Sequence, residues 1–445
     1  MDAVTPFSTR PDAVREALGK WILTDGMPMV YDLAKSHDAY IVDSASGEEY
    51  LDMFSFFASM PVGHNHPALK DEAFEKRLLA ASHVKPSNSD IYTPAMADFV
   101  TAMGRTMPAG FEHLFFISGG ALAVENALKV AFDWKVRKNA AKGVVDGDTD
   151  AQKGTKVLHF ENAFHGRSGY TLSLTNGFAR AKTMYFPKFD WPRVSTPAMR
   201  FPANDDNLAA TVEAERKSLE QINAAIQADP DGIAAILIET IQGEGGDNHF
   251  RPEFLQALRD ICDANEMLLI YDEVQCGFGM TGKWWAFEHH GVAPDVFAFG
   301  KKTQVCGVAA GPRVNEIDSV FKVSSRINST WGGNLVDMVR CTRYIEIIEQ
   351  DGLLQNAASV GEYLLGQLGE LAGDTVSNVR GKGLMCAFDL PDPDTRSKLI
   401  DLCFAEKLMV LPCGSRSLRV RPTLDFTKAH VDEAIRRMRA ALAKL

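Results

Sequence analysis

The residues best placed to do chemistry stand at the ends of three short apolar runs in the second half of the chain. Glu239 closes Ile233–Ile238, with Glu244 five residues on in QGEGG. Asp272 closes Leu268–Tyr271, with Gln275 just beyond it. Lys301 and Lys302 follow Val296–Phe299. A lysine amine condenses with an aldehyde. A carboxylate beside a ring nitrogen keeps that nitrogen protonated, so that the ring can draw electrons from a carbanion. Asp272 and Lys301 supply one group of each kind.

The runs themselves say how such groups would be held. Each is four to six residues long and continuously apolar, and a helix-like stretch, RPEFLQALRDICDANE, separates the first two. Runs of this kind are buried strands of a parallel sheet in an α/β fold. Ligands of such sheets bind where the strands' carboxyl ends open into loops, which is where the polar residues fall. LFFISGGALAVENALKVAFDWK repeats the pattern as a strand, Leu114–Ile117, a glycine turn and a helix, Leu122–Trp134. A glycine turn into a helix presents free backbone N–H groups at the positive end of the helix dipole, a seat for phosphate. Aldehyde chemistry, a ring nitrogen and a phosphate seat together point to pyridoxal phosphate.

The stretch YDEVQCGFGMTGKWWAFEHHGVAPDVFAFGKK resembles the core of the class III pyridoxal-phosphate aminotransferases, and the resemblance runs from about Tyr40 to Pro422. It implies fold type I: a large domain over residues 71–335 with a mainly parallel sheet, and a smaller α/β domain built from residues 1–70 and 336–445. It also implies roles. Lys301 is the lysine that bonds the cofactor, because the family's lysine directly follows the apolar strand and its small residue, with Lys302 as the second choice. Asp272 faces the ring nitrogen, Phe164 and Val274 pack on the two ring faces, and Gln275 bonds the phenolic oxygen or the substrate. Gly120 and Ala121 hold the phosphate. Ala121 stands where the family commonly has Thr, which removes a hydroxyl donor worth about 1.5–3 kcal/mol to a charged group. Thr330 in INSTWGGNL would bind the phosphate from a neighbouring subunit, so a homodimer is implied, and Asn328 in the same stretch would bind substrate. The loop around His64 borders the family's site, which brings Val62 and Gly63 toward it.

Within the family, SGGALAVENALKVAFDWK, FHGRSGYTLSLTN, FGKKTQVCGV, NSTWGGNLVDMVR and GKGLMCAFDLP are similar to members acting on the ε-amine of L-lysine. The implied reaction moves that amine to 2-oxoglutarate. It gives glutamate and 2-aminoadipate 6-semialdehyde, which cyclises. Arg167 would grip the substrate's far carboxylate through its planar fork. Glu244 and Arg421 would form a pair that opens when an α-carboxylate arrives. Ornithine and 4-aminobutyrate are rival substrates, and an aminomutase is a rival reaction; no GxGxxG follows an early strand, which argues against a nicotinamide dehydrogenase.

Composition sets the bounds. The chain has 445 residues, 46% hydrophobic and 24% charged, with a net charge of −11. That charge argues against a nucleic-acid surface. No apolar run approaches the roughly 20 residues of a membrane span, and MDAVTPFSTRPDAVREAL lacks an apolar signal core, so a cytoplasmic protein is expected. Seven scattered cysteines without a CxxC pair argue against a disulfide framework or structural zinc. His64 and His66 have no third ligand at suitable spacing, so no metal site is expected. A helix is expected over Asp12–Leu23, a strand pair around Ser46-Gly47, a surface loop over residues 139–155, a strand over Val157–Phe160 and a long helix from Leu335 to Glu349. No chemistry is assigned to residues 185–230.

Overall fold

The computed structural model describes residues 7–144 and 152–445. The first six residues of the N-terminal stretch, and positions 145–151 of the expected surface loop, lie outside the described residues.

Two antiparallel strands, β1 (Tyr40–Val42) and β2 (Glu49–Asp52), form the expected pair around Gly47, which takes φ 76°. The strands that follow are β3 (His113–Ile117), β4 (Lys156–Phe160), β5 (Arg193–Val194), β6 (Ile233–Glu239), β7 (Leu268–Asp272), β8 (Val296–Phe299) and β9 (Cys306–Ala310). They build one seven-stranded sheet in the order β3-β9-β8-β7-β6-β4-β5. All are parallel except β9, which runs antiparallel to both β3 and β8. β9 has no counterpart among the expected strands, because CGVAA is short and small-sided. Small residues are nonetheless what this place requires: a Cβ on Gly307 would lie 2.3 Å from the Phe115 carbonyl oxygen.

Every residue of β6, β7 and β8 is buried, as their unbroken apolar runs require. The register puts Glu239, Asp272 and Ala298 side by side at the carboxyl ends of the three strands. The helix after β3 spans Gly120–Ala141, beginning at the glycine turn and running a further two turns past Trp134. Its buried face, including Val124, Ala127, Leu128 and Ala131, lies in one core cluster with β6–β9 residues such as Leu237, Ile270 and Val308.

The remaining strands, β10 (Ser377–Lys382), β11 (Met385–Asp389), β12 (Leu408–Met409), β13 (Leu411–Cys413) and β14 (Ser417–Val420), form two further groups. β10-β11-β14-β13 is an antiparallel sheet, while β12 lies parallel to β2, pairing Leu408 with Leu51. The N-terminal helix is shorter than expected, Val14–Gly19 after a single 3-10 turn. Gly19 is a poor helix residue. Beyond it Trp21 and Leu23 are 89% and 82% exposed, so no packing extends the helix. Arg15 instead ties the returning chain through the carbonyls of Thr24 and Met27.

Candidate active site

Two adjoining cavities open at the carboxyl ends of β6–β8. The inner one, about 280 Å³, is lined by Gly120, Ala121, Phe164, Asp272, Val274 and Lys301, among others. The outer one, about 650 Å³, shares Phe164, Gln275 and Lys301 with it and adds Lys182, Glu244 and Arg419.

Lys301 is the residue that joins them, and its backbone explains why. Gly300 is extended, whereas Lys301 takes φ 55° in the left-handed region at the start of the turn Lys301–Thr303. Such a conformation costs of order 1–3 kcal/mol for a side-chain-bearing residue. Here it accompanies a separation of two adjacent lysines: Lys301 lines the cavities, while Lys302 is 1% exposed with its Nζ 3.5 Å from the Gln275 carbonyl. Burial draws the Lys301 amine down to about 8, and the nearby Arg419 guanidinium adds to the effect.

Asp272 is 4% exposed and has both oxygens engaged. Oδ1 accepts the Val274 N–H at 3.0 Å, and Oδ2 lies 2.8 Å from His165 Nδ1. A carboxylate can only accept there, so Nδ1 carries the proton. His165 is fixed in turn, since its backbone N–H and that of Gly166 both donate to Thr175 Oγ1. Glu239 lies alongside and accepts the N–H groups of Phe164 and Gly243. Burial pushes its carboxyl up to about 7, against the pull of His165 and with Asp272 adding to the rise. Gly120 and Ala121 begin the long helix at the cavity wall, where a Cβ on Gly120 would meet Val274 Cγ1 at 2.9 Å. Gly166, at φ 126°, packs against Ala121 so closely that a Cβ would lie 2.4 Å from the Ala121 methyl.

The outer cavity departs from the expected pairing. Arg421 does not face Glu244. It is 1% exposed and ion-paired with Asp247, itself fully buried. β14 ends at Val420, and the Arg421 N–H donates to the Met53 carbonyl, so the chain has left the ladder before Arg421 is reached. Asp247, three residues beyond Glu244 in the same loop, takes its guanidinium. Of the two β14-end arginines it is Arg419 that borders the cavity, beside Arg396; its Nη1 donates to Gln275 Oε1 at 3.0 Å and its buried Nε has no hydrogen-bond partner. Glu244 pairs with Lys182 at 2.5 Å. Arg167 lines the inner cavity and donates from Nε to the Lys182 carbonyl at 3.1 Å.

Asn328 and Thr330 are exposed and line neither cavity of this chain. The Thr330 carbonyl accepts from Ser87 Oγ, and the Asn328 side chain caps the Ser329 N–H. Val62 is fully buried and the Gly63 N–H is held by Asp425, so neither reaches the cavities. His64 sits between Tyr31 OH and Asp52, each at 2.9 Å. Among the described residues no group of three or more His, Cys, Asp or Glu is arranged to hold a metal ion, and no helix is long and apolar enough to cross a membrane. All seven cysteines are free and buried.

His165, Lys182 and Arg419 line the cavities without having been singled out from the sequence. His165 lies inside the FHGR stretch already singled out, and Arg419 two residues before the arginine chosen. Lys182 carries no signal in the sequence.

Comparison with known proteins gives this geometry a family. The class-III aminotransferase model matches residues 23–442. An L-lysine-epsilon aminotransferase of Mycobacterium tuberculosis is 53% identical over 98% of this chain and 96% of its own. That of Amycolatopsis lactamdurans is 49% identical over 97% and 96%. A solved lysine aminotransferase from M. tuberculosis superposes with a TM-score of 0.94 at 51% identity, covering 98% of this chain and all of that one. With Lys301 and Asp272 opening on one cavity at the ends of a mostly parallel sheet, the chain belongs to the class III aminotransferases, which work with pyridoxal phosphate.

Proposed function

We propose that this enzyme transfers the ε-amino group of L-lysine to 2-oxoglutarate, releasing glutamate and 2-aminoadipate 6-semialdehyde. The observation that carries the reading is a buried acid and a low-pKa amine on one cavity, with Arg167 on its inner wall and Lys182, Arg396 and Arg419 at its outer end. Such an end suits substrates that react at one terminus and bear carboxylate at the other. The relatives named above act on lysine, which supports the same substrate.

The residues fit pyridoxal phosphate. The inner cavity has an aromatic and a branched wall in Phe164 and Val274, an acid held in place by His165, and a helix start at Gly120 and Ala121 for the phosphate. When bound, the cofactor's ring takes up the electron pair left as a proton departs from the amine-bearing carbon. Lys301 Nζ takes that proton, and near pH 8 it is poised both to accept and to return it. Asp272 keeps the ring nitrogen protonated. Arg167 holds the α-carboxylate of lysine. Arg419 receives the α-carboxylate of 2-oxoglutarate, while Gln275 steadies it. We assign this role to Arg419 in place of Arg421 because Arg419 alone of the two borders the cavity.

We also read the enzyme as a homodimer in which the exposed Asn328–Thr330 segment completes the partner's phosphate and substrate seats. The two-domain division at residues 70 and 335 follows the same reading, as does a cytoplasmic location, supported by seven unpaired thiols.

The test is incubation of the cofactor-loaded enzyme with L-lysine and 2-oxoglutarate, assaying glutamate and the cyclised aldehyde. Initial rates with ornithine and 4-aminobutyrate are measured alongside. Faster turnover of either rival, or repeated turnover of lysine beyond one equivalent per site without a keto acid, would overturn the assignment.

A further inference from the structure

Among the described residues Glu244 is the one carboxylate lining the outer cavity, set among Lys182, Lys301, Arg396 and Arg419. Its main chain is fixed, because its carbonyl accepts the Gly414 N–H at 2.7 Å. Any movement of the carboxylate is therefore a side-chain rotation between neighbouring cations. The cations are not equivalent. Lys182 holds Glu244 at 2.5 Å, with side chains 41% and 19% exposed. Arg419 is buried, has a donor without a partner, and is held by the neutral amide Gln275, which itself touches Gly243, the residue before Glu244. A buried guanidinium with no carboxylate partner attracts a carboxylate that lines the same cavity. Something must hold that carboxylate away when Arg419 is to receive a substrate.

We propose that Lys182 is the docking cation for Glu244, a positioning residue that keeps Arg419 open for an α-carboxylate and so sets the balance between the two half-reactions. This rests on the aminotransferase function above and adds a residue to it. The turn Arg180–Lys182 then has two duties. Its last carbonyl locates Arg167, and its last amine locates Glu244. Substitution of the Lys182 side chain spares the first and removes the second, together with a cation 5.7 Å from the Phe164 ring centre that Lys182→Arg retains.

The experiment uses full-length holoenzyme and single-turnover spectra of the bound cofactor, first with lysine alone, then with 2-oxoglutarate alone. Lys182→Met releases Glu244 onto Arg419. It is expected to lower kcat/KM for 2-oxoglutarate by roughly fivefold, as for a partly exposed ion pair, and to leave the lysine half-reaction within about twofold of wild type by the same scale. The loss falls on 2-oxoglutarate affinity rather than on the maximal rate. Lys182→Arg restores the pair and the kinetics. Lys182→Glu repels Glu244 and deepens the same loss, which keeps the test open if Lys182→Met assembles poorly. In a Glu244→Gln background Lys182→Met has no effect, because no carboxylate is left to cover Arg419. Equal loss in both half-reactions, no loss in either, or a loss that persists beside Glu244→Gln overturns the docking role. Wild-type enzyme that accepts no amine from lysine would instead overturn the function itself, so the two failures are distinct.

Discussion

Two arginines two residues apart offer a direct trial of the geometry. Arg419 borders the cavity and Arg421 is sealed against Asp247, so truncating each should fail in a different way. Arg419→Gln removes the partner of an incoming carboxylate. Losing one side of a buried, hydrogen-bonded charge pair costs about 2–5 kcal/mol, or roughly 30-fold to a few thousandfold in kcat/KM for 2-oxoglutarate. The lysine half-reaction and the folded state should change little. Arg421→Gln leaves the fully buried Asp247 without its cation, a loss of about 3–5 kcal/mol of stability. That is a large part of the 5–15 kcal/mol typical of a native protein. The backbone bonds of Arg421, from its N–H to Met53 and from Ser55 Oγ to its carbonyl, survive the substitution. The surviving active fraction should therefore keep near-normal kinetics. Asp247→Asn added to Arg421→Gln should recover most of the loss, since no buried charge then remains. Thermal inactivation half-life measures the stability arm, and single-turnover kinetics per folded site the other. If Arg421→Gln were as heat-stable as wild type and lost only 2-oxoglutarate turnover, while Arg419→Gln kept it, the assignment would be wrong.

Two further outcomes follow from the inner cavity. A Lys301 amine at about 8 is roughly one-tenth unprotonated at pH 7, against about three parts in ten thousand for an amine at 10.5, a difference of roughly 300-fold. Capture of added pyridoxal phosphate by cofactor-free enzyme, followed by absorbance, should therefore rise with pH up to about 8 and level off above it; a rise continuing to pH 10 would contradict the depressed value. His165→Ala should slow both half-reactions alike, by roughly ten- to a hundredfold, because Asp272 loses a charge-assisted bond of about 1.5–3 kcal/mol that no substrate replaces. A loss confined to one half-reaction would argue against the acid's acting through the ring.

The parts of this enzyme legible in its sequence are those where one physical requirement dominates. Strands β6, β7 and β8 are buried on both faces, so their apolar runs are unbroken and stop where the sheet ends. That stop locates Asp272 and the Lys301-Lys302 pair, and the family resemblance chooses Lys301 between the two. β9 is buried as well, but it lies against Phe115 and Phe299, where space rather than hydrophobicity selects its residues. CGVAA therefore carries no run to notice. Arg419 and Arg421 could not be separated by spacing, because what separates them is the point at which the chain leaves the β14 ladder. Lys182 was invisible for a different reason. Its partner Glu244 is 62 residues away, and a contact between two loops leaves no periodicity.

The strained segments show what the sheet alone does not achieve. Parallel strands deliver side chains to a line of carboxyl ends, but they do not choose which of two neighbouring residues enters the cavity. At Lys301 a left-handed backbone makes that choice. At Ser55–Ala58 four successive residues hold φ between 40° and 64° and bring Phe57 to the outer cavity. Left-handed runs of this kind are costly for residues with side chains, and this one is held from several sides. Asp52 Oδ1 accepts the N–H groups of Phe54 and Ser55, His64, itself bonded to Tyr31 OH, anchors Asp52, and Ser55 Oγ donates to the Arg421 carbonyl. The buried pair of Arg421 and Asp247 thus stands behind the cavity wall and lines neither cavity. His64 belongs to the same support, which gives a histidine that resembled a metal ligand a purely structural reason to be where it is.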